Sequence, residues 1–596
     1  MDISVWIQSV QSLRCAAWVL TGAALCSAVA WGQSREGAPK PRTQARSMVI
    51  SRFGIVATSQ TLASRAGAQI LELGGNAVDA AIAANAVLGV VEPTSNGIGG
   101  DLFAVVYEAK TGKLYGLNSS GWAPAKMTLE FVRNRGQQTM PHDGILTVTV
   151  PGCVAGWDAL HGKLGTLGFD TLLKSAIYYA EEGYPLTEVI SSGWRAAERL
   201  QNLNAAFKQT FLPSGHAPLV GEIFRNPDLA RSLRRIAERG RDGFYKGPTA
   251  EAIVQLSGEL GGAMEAPDLA QFQAEWVQPI STNYRGWTVT ELPPNGQGIA
   301  ALMMLNLMER FPLAEYGQNS TRALHVMIEA KKLAYADLLR YVVDPRFSEV
   351  PVDAMLAKSH AEKRAKEIRL DKAQASVAPS AAEDLKAKRA GDTIYMSAID
   401  SEGNIVSLIQ SNYSGFGSGL VAPGTGFGLQ NRGALFSLDA KHPNVLAPRK
   451  RPLHTIIPAF LQKGDVRIGF GIMGGWNQAQ AHAQFVSNVV DFGMNIQAAL
   501  EAPRFTKGTF EGLDVEIEPR IPESTRAELT HLGHELKVLE SPFSPLVGGG
   551  QAVMRNGQGV NFGASDPRKD GSAEPQAPPV FGKQRTSARH DGSRKR

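Results

Sequence analysis

The chain has little cysteine: Cys15, Cys26 and Cys153 are the only three in 596 residues. Two of them lie in the first thirty positions. If that segment is removed, Cys153 is left without a partner, which excludes a scaffold built on internal disulfides. Excess charge is also lacking. The formal net charge is +5, but residues 571–596 hold six cations and two anions, which leaves the rest near +1. The body is therefore no polycation, and no basic-aromatic stripe points to nucleic-acid recognition. Long apolar runs are missing as well. The run from Cys15 to Ala30 is short for a membrane span. His325, His482 and His534 are scattered and lack zinc-ligand spacing. The stretch GIGG (97–100) lacks the Lys-Ser/Thr that a phosphate loop needs. Neither metal nor cofactor is expected.

What is present suits a globular protein. Hydrophobic residues make up 43% and charged residues 20% of the chain, enough for a sizeable core. Arg14 precedes the apolar run, and Ala28-Val29-Ala30 fits a small-residue cleavage site. Residues 1–30 are thus predicted to be a signal peptide and 31–50 a polar spacer. Export to the periplasm or the extracellular space follows, with no stable membrane span after signal removal; an uncleaved anchor is the alternative. Residues 571–596 are rich in Pro, Gly, Ser and Arg and are predicted to be a disordered basic tail. Small-residue helices are expected at 61–73 and 77–90. Mostly helical sequence fills 154–345. Alternating strands dominate after 393, before helices at 477–502 and 523–532.

Residues 391–413, GDTIYMSAIDSEGNIVSLIQSNY, are the most informative segment. Thr393 follows Gly391-Asp392 and opens an alternating run through Ile394, Met396 and Ala398. A small turn followed by a hydroxyl residue at a strand start is what autocleavage requires. If the Asp392–Thr393 bond breaks, Thr393 carries a hydroxyl and a free α-amine whose reference pKa is about 7.7–8.0. One residue then supplies nucleophile and base together. The alternative is a hydroxyl that merely starts an ordinary strand.

The surrounding motifs weigh toward catalysis. They are GGNAVDAAIA (74–83), EPTSNGIGGDLF (92–103), VPGCVAGW (150–157), ELPPNGQG (291–298), HVMIEAKKLAYAD (325–337), GFGSG (415–419), RPLHTIIPA (451–459) and IMGGW (472–476). With these motifs in this order, the chain resembles the gamma-glutamyltransferase (glutathione hydrolase) family of N-terminal-nucleophile hydrolases, from about 51 to 570. The resemblance implies an α+β fold, a four-layer αββα sandwich. It also implies one folded unit cut in two: a large subunit, 51–392, and a small-subunit core, 393–570, in a chain 393–596. The subunits of one precursor would stay associated.

Matched position by position, Thr393 takes the nucleophile's place, with Asp392–Thr393 as the cleaved bond. Ser411 and Tyr413 take the place of nucleophile support. Gly474 and Gly475 match the glycines whose N–H groups form the oxyanion hole, each such donor being worth roughly 3–4 kcal/mol. The substrate-binding positions are Ser120, Arg432, His454 and Thr455, together with Gly475. Several depart from the family pattern. Ser120 stands where an arginine grips the donor's α-carboxylate, and Arg432 and Leu435 stand where its α-amino group is held. His454-Thr455 replaces a pair of serines. This pattern resembles a side branch with cephalosporin-acylase-like and oxamate-amidohydrolase-like members. Arg432 is there either a carboxylate binder or a structural arginine, and His454 either a substrate contact or a packed loop residue. The expected function is a self-processing amidohydrolase that acts on a small-molecule amide such as glutathione through an acyl-enzyme on Thr393. The alternatives are an acylase with oxamyl or glutaryl donors, or a non-catalytic binding protein.

Overall fold

The computed structural model describes residues 44–380 and 392–581. The predicted signal peptide, most of the spacer, the segment before Asp392 and the last fifteen residues lie outside them. Two seven-stranded antiparallel sheets dominate. The first runs, edge to edge, Ser572–Pro575, Ile55–Thr58, Asp392–Ile399, Ile405–Tyr413, Asp101–Glu108, Lys113–Ser119 and Glu275–Val277. The second runs Val49–Ser51, Asn561–Ser565, Gly550–Arg555, Val466–Ile472, Ala459–Lys463, Trp287–Glu291 and Ile280–Tyr284.

Strand periodicity builds the layers. Along Asp392–Ile399, Ile394, Met396 and Ala398 face a cluster with Val78, Ile82 and Trp157, from the helices Ala77–Val91 and Cys153–Leu164. Tyr395 and Ile399 turn the other way. They meet Ile55, Phe103, Ile405 and Ile409 of their own sheet and Phe460 and Val553 of the second. The outer face of the second sheet packs Leu461, Ile468 and Phe470 on the helices Gly298–Met308, Thr321–Tyr341 and Gln478–Val490. The result is helix, sheet, sheet, helix: the expected αββα sandwich of the N-terminal-nucleophile hydrolases. Ala77–Val91 is apolar nearly all round and buried over almost its whole length, as a helix inside such layers must be. Asn76 caps its first turn and Asp79 returns the bond.

Two boundary expectations need correction. Val49 and Ile50, placed in the spacer, belong to a strand paired with Asn561–Ser565. Residues 572–575, placed in the tail, form an edge strand on Ile55–Thr58. The Ser-Ala-Glu-Pro segment still alternates, and Gly571 lets the backbone pass Thr58, where a Cβ would lie 2.0 Å from the Thr58 carbonyl oxygen. Composition hid a strand held by one neighbour. The helix predicted over 477–502 is divided into Gln478–Val490 and Ile496–Glu501, with Asn495 capping the second part.

Candidate active site

Thr393 lies on the side of its sheet that faces the second sheet. It is fully buried, and its Oγ1 donates to Ser411 Oγ at 3.1 Å. Ser411 Oγ also accepts from the backbone N–H of Tyr413 at 2.8 Å. Register pairs Tyr413 with Asp392 and Ser411 with Asp101, so Thr393, the Asp392–Thr393 bond and Asp101 share one sheet end. Tyr413 has φ of +83°, a conformation that costs a non-glycine residue on the order of 1 kcal/mol or more. The register shift between Asp392 and Ile394 falls beside it. Tyr395 spans the sheets, donating to or accepting from Ser407 Oγ at 2.8 Å, and its ring fills the space beside Gly471.

The second sheet supplies the other wall. The strand Val466–Ile472 runs into Met473-Gly474-Gly475, and a short 3-10 turn at 475–477 leads into Gln478–Val490. Gly474 has φ of +120° and Gly475 +57°, which suit glycine. Among the described residues neither backbone N–H has a partner in this turn. Two donors are thus presented at the start of a helix, where partial positive charge gathers.

Arg432 opens a 3-10 turn at 432–435 and is fully buried. Its Nη1 donates to Thr455 Oγ1 at 2.8 Å, and its guanidinium carbon sits 4.5 Å from the Tyr413 ring centroid. Among the described residues its Nε and Nη2 have no hydrogen-bond partner. Burial lowers its pKa to about 10, against the opposing pull of Asp101 and Tyr413. Burial also raises Tyr413 to about 12.

Asp101 is the residue that sequence reasoning missed. Its Oδ1 accepts from Gly121 N and from Gln430 Nε2, each at 2.8 Å, and its Oδ2 meets His454 Nε2 at 2.9 Å. Burial raises its pKa to about 7, while Arg432, these donors and Arg451 hold it down. His454 Nδ1 accepts from Ile456 N, which leaves Nε2 to carry the proton toward Asp101. Burial, reinforced by Arg432 and Arg451, keeps His454 neutral. An acid between Gly-Gly and an apolar strand, in GIGGDLF, was the available signal.

Not every residue expected to bind substrate has its side chain free to do so. Ser120 is buried and engaged: its Oγ donates to Asn118 Oδ1 at 2.7 Å and its carbonyl accepts from Arg451. His454 turns to Asp101 and lies tilted against the Phe103 ring, centroids 4.8 Å apart. Leu435 packs with the second sheet's helix layer. The histidines that look scattered in sequence are not all apart. His325 Nδ1 lies 2.8 Å from His534 Nε2, near Glu329, whose carboxylate is paired with Lys332 at 2.6 Å. Glu329 is thus already neutralised by an ammonium group. His482 accepts from Ile472 N and meets Glu291, bracing the strand before Gly474. No helix among the described residues is long and apolar enough to cross a membrane.

A family model described as gamma-glutamyltranspeptidase matches residues 63–576. The chain is 37% identical to the glutathione hydrolase-like YwrD proenzyme of Bacillus subtilis over 533 residues, 88% of this chain and 99% of that protein. It is 36% identical to the oxamate amidohydrolase proenzyme of Klebsiella pneumoniae over 536 residues, 88% and 98% of the two chains. Among solved structures, cephalosporin acylase from Bacillus halodurans superposes with a TM-score of 0.83 at 42% identity, covering 91% of this chain and 99% of that one.

Proposed function

The chain belongs to the gamma-glutamyltranspeptidase family, and on that premise we propose a self-processing amidohydrolase whose acyl donor carries a carboxylate seated on Arg432. In processing, Thr393 Oγ1 attacks the Asp392 carbonyl carbon, the C–N bond breaks, and the acyl group moves to oxygen. That shift frees the Thr393 α-amine, which takes up the Oγ1 proton; water then hydrolyses the ester, releasing the Asp392 carboxylate and restoring the Thr393 hydroxyl. In turnover the amine takes the Oγ1 proton as the hydroxyl attacks the donor amide. The Gly474 and Gly475 N–H groups receive the developing oxyanion. The amine's proton passes to the leaving nitrogen, and water resolves the acyl-enzyme. Ser411 orients the nucleophile.

The observation that carries the donor assignment is Arg432: a buried guanidinium with Nε and Nη2 unfilled beside the scission strand. A planar fork of this kind matches a carboxylate. Relatives bear names as different as oxamate amidohydrolase and cephalosporin acylase, which supports a donor pocket that varies within the family. A second reading is hydrolysis of γ-glutamyl amides such as glutathione. It is favoured by Asp101, whose carboxylate interacts electrostatically with Arg432 and would supply the second charge that an amino-acid handle requires. Rates on glutaryl and γ-glutamyl anilides decide between the two. A glutaryl preference of tenfold or more supports the first, and a γ-glutamyl preference supports the second. We place the mature protein outside the cytoplasm on the strength of residues 1–30; the first residue of the secreted large fragment tests that.

A further inference from the structure

We propose that Gln297 is a positioning residue that sets the distance between the donor's carboxylate anchor and the oxyanion hole, and so selects acyl chain length. The inference rests on Arg432 as the anchor.

Gln297 follows the Trp287–Glu291 strand and sits at the N-cap position of the helix Gly298–Met308, without a side-chain capping bond; it is fully buried. Its single side-chain nitrogen donates to two backbone carbonyls on different segments: Thr455 O at 2.5 Å and Gly475 O at 2.8 Å. Its own backbone N–H donates to His454 O at 2.9 Å. Thr455 holds Arg432 through Oγ1 at 2.8 Å. A continuous chain of bonds therefore runs from the guanidinium, through Thr455 and one amide, to the turn that presents the Gly475 N–H. Tyr335 adds a brace, its hydroxyl donating to Trp476 O at 2.5 Å.

The choice of residue follows from the geometry. An amide NH₂ has two protons in a fixed plane, one for each carbonyl. A glutamate would set an acceptor against both carbonyls, and a methionine would fill the space with no donor. A donor anchored at one end and reacting at the other must match the span between the two sites. Misplacement by about 1 Å costs on the order of a hundredfold in rate.

The test uses the processed full-length protein, normalised to cleaved chain, with Gln297→Met and Gln297→Glu made in parallel so that a folding defect in one leaves the other readable. Succinyl, glutaryl and adipyl nitroanilides report chain-length choice. A simple alkylboronic acid without a carboxylate reports the oxyanion turn independently of Arg432. The wild-type enzyme is expected to favour one length. Each variant is expected to lower that preference ratio at least tenfold, to lower kcat by roughly ten- to a hundredfold, and to weaken boronate binding. A variant with lower kcat but an unchanged length ratio overturns the ruler, as does one that binds boronate as the wild type does. If the wild type itself shows no length choice and Arg432→Ala changes nothing, the Arg432 reading fails; the boronate arm still reads Gln297's effect on the turn.

Discussion

A buried guanidinium with two unfilled nitrogens is costly, since each unfilled buried donor carries about 1–3 kcal/mol. Arg432 bears that cost, and under the proposed function a donor carboxylate would relieve it. Arg432→Ala should lower kcat/KM for a glutaryl anilide by the roughly 2–5 kcal/mol typical of a lost buried charge partner, on the order of thirty- to several-thousandfold. Arg432→Lys should recover little, because an ammonium cannot fill a fork. A steady-state comparison of the three enzymes checks this. Asp101 adds a pH dependence. Its carboxyl, raised by burial to about 7, is neutral below that pH and anionic above it. Ionisation sets a second negative charge near the incoming carboxylate. Glutarate affinity should therefore fall as pH rises through about 7, and Asp101→Asn should remove that fall; calorimetric titration from pH 5.5 to 8.5 reads it. Linkage has the same sign. The folded state holds this proton more tightly than the unfolded chain, so Asp101's contribution to stability is present at low pH and declines between about 4 and 7. Sequence reasoning proposed Thr393, Arg432 and the paired glycines as candidates because they lie in motifs that resemble the family's. It passed over Asp101 because its partners Gln430, Arg432 and His454 arrive from more than three hundred residues away.

At the scale of elements, the site is a meeting of one strand start and one strand end. The Asp392–Ile399 strand brings the hydroxyl, and the Val466–Ile472 strand brings the turn with two open N–H groups. Gly475 has φ of +57°, which proline cannot reach, and proline also removes the N–H. Gly475→Pro should lower hydrolysis at least about a hundredfold in cleaved enzyme, in line with loss of one oxyanion donor; burst-phase acylation rates measure it. The strand at 392–399 and the paired helices at 61–72 and 77–91 were legible, since alternation and small-residue periodicity are local signals. The edge strand at 572–575 was not. Its order comes from pairing with Ile55–Thr58, which no window of composition contains.

The whole molecule is held by strands that interleave across the scission point. In the first sheet, Asp392–Ile399 lies between Ile55–Thr58 and Ile405–Tyr413, and Asp101–Glu108 follows. Cleavage before Thr393 would therefore leave each fragment hydrogen-bonded to the other. The two should co-elute in native gel filtration and separate only in denaturant. A buried ionic quartet stiffens the small-fragment side: Arg568 meets Glu518 at 2.6 Å and Asp566 at 2.9 Å, and Arg504 meets Asp566 at 2.5 Å and Gly548 O at 2.7 Å. Gly549 O in turn accepts from Met473 N, next to the Gly474-Gly475 turn. Arg568→Ala should cost about 3–5 kcal/mol, the range for a buried pair broken on one side, read from the urea midpoint. The overall layering was legible through the family motifs. The meeting of His325 with His534 was not, because only the folded chain joins them.

The central claim is that Thr393 becomes the amino-terminal nucleophile. Intact mass and N-terminal sequencing of the smaller fragment test it most directly. The account predicts a fragment beginning Thr393-Ile394-Tyr395 from the wild-type chain, and an uncut chain from Thr393→Ala. A fragment with any other first residue, or a Thr393→Ala chain that still cleaves at this bond, would contradict it.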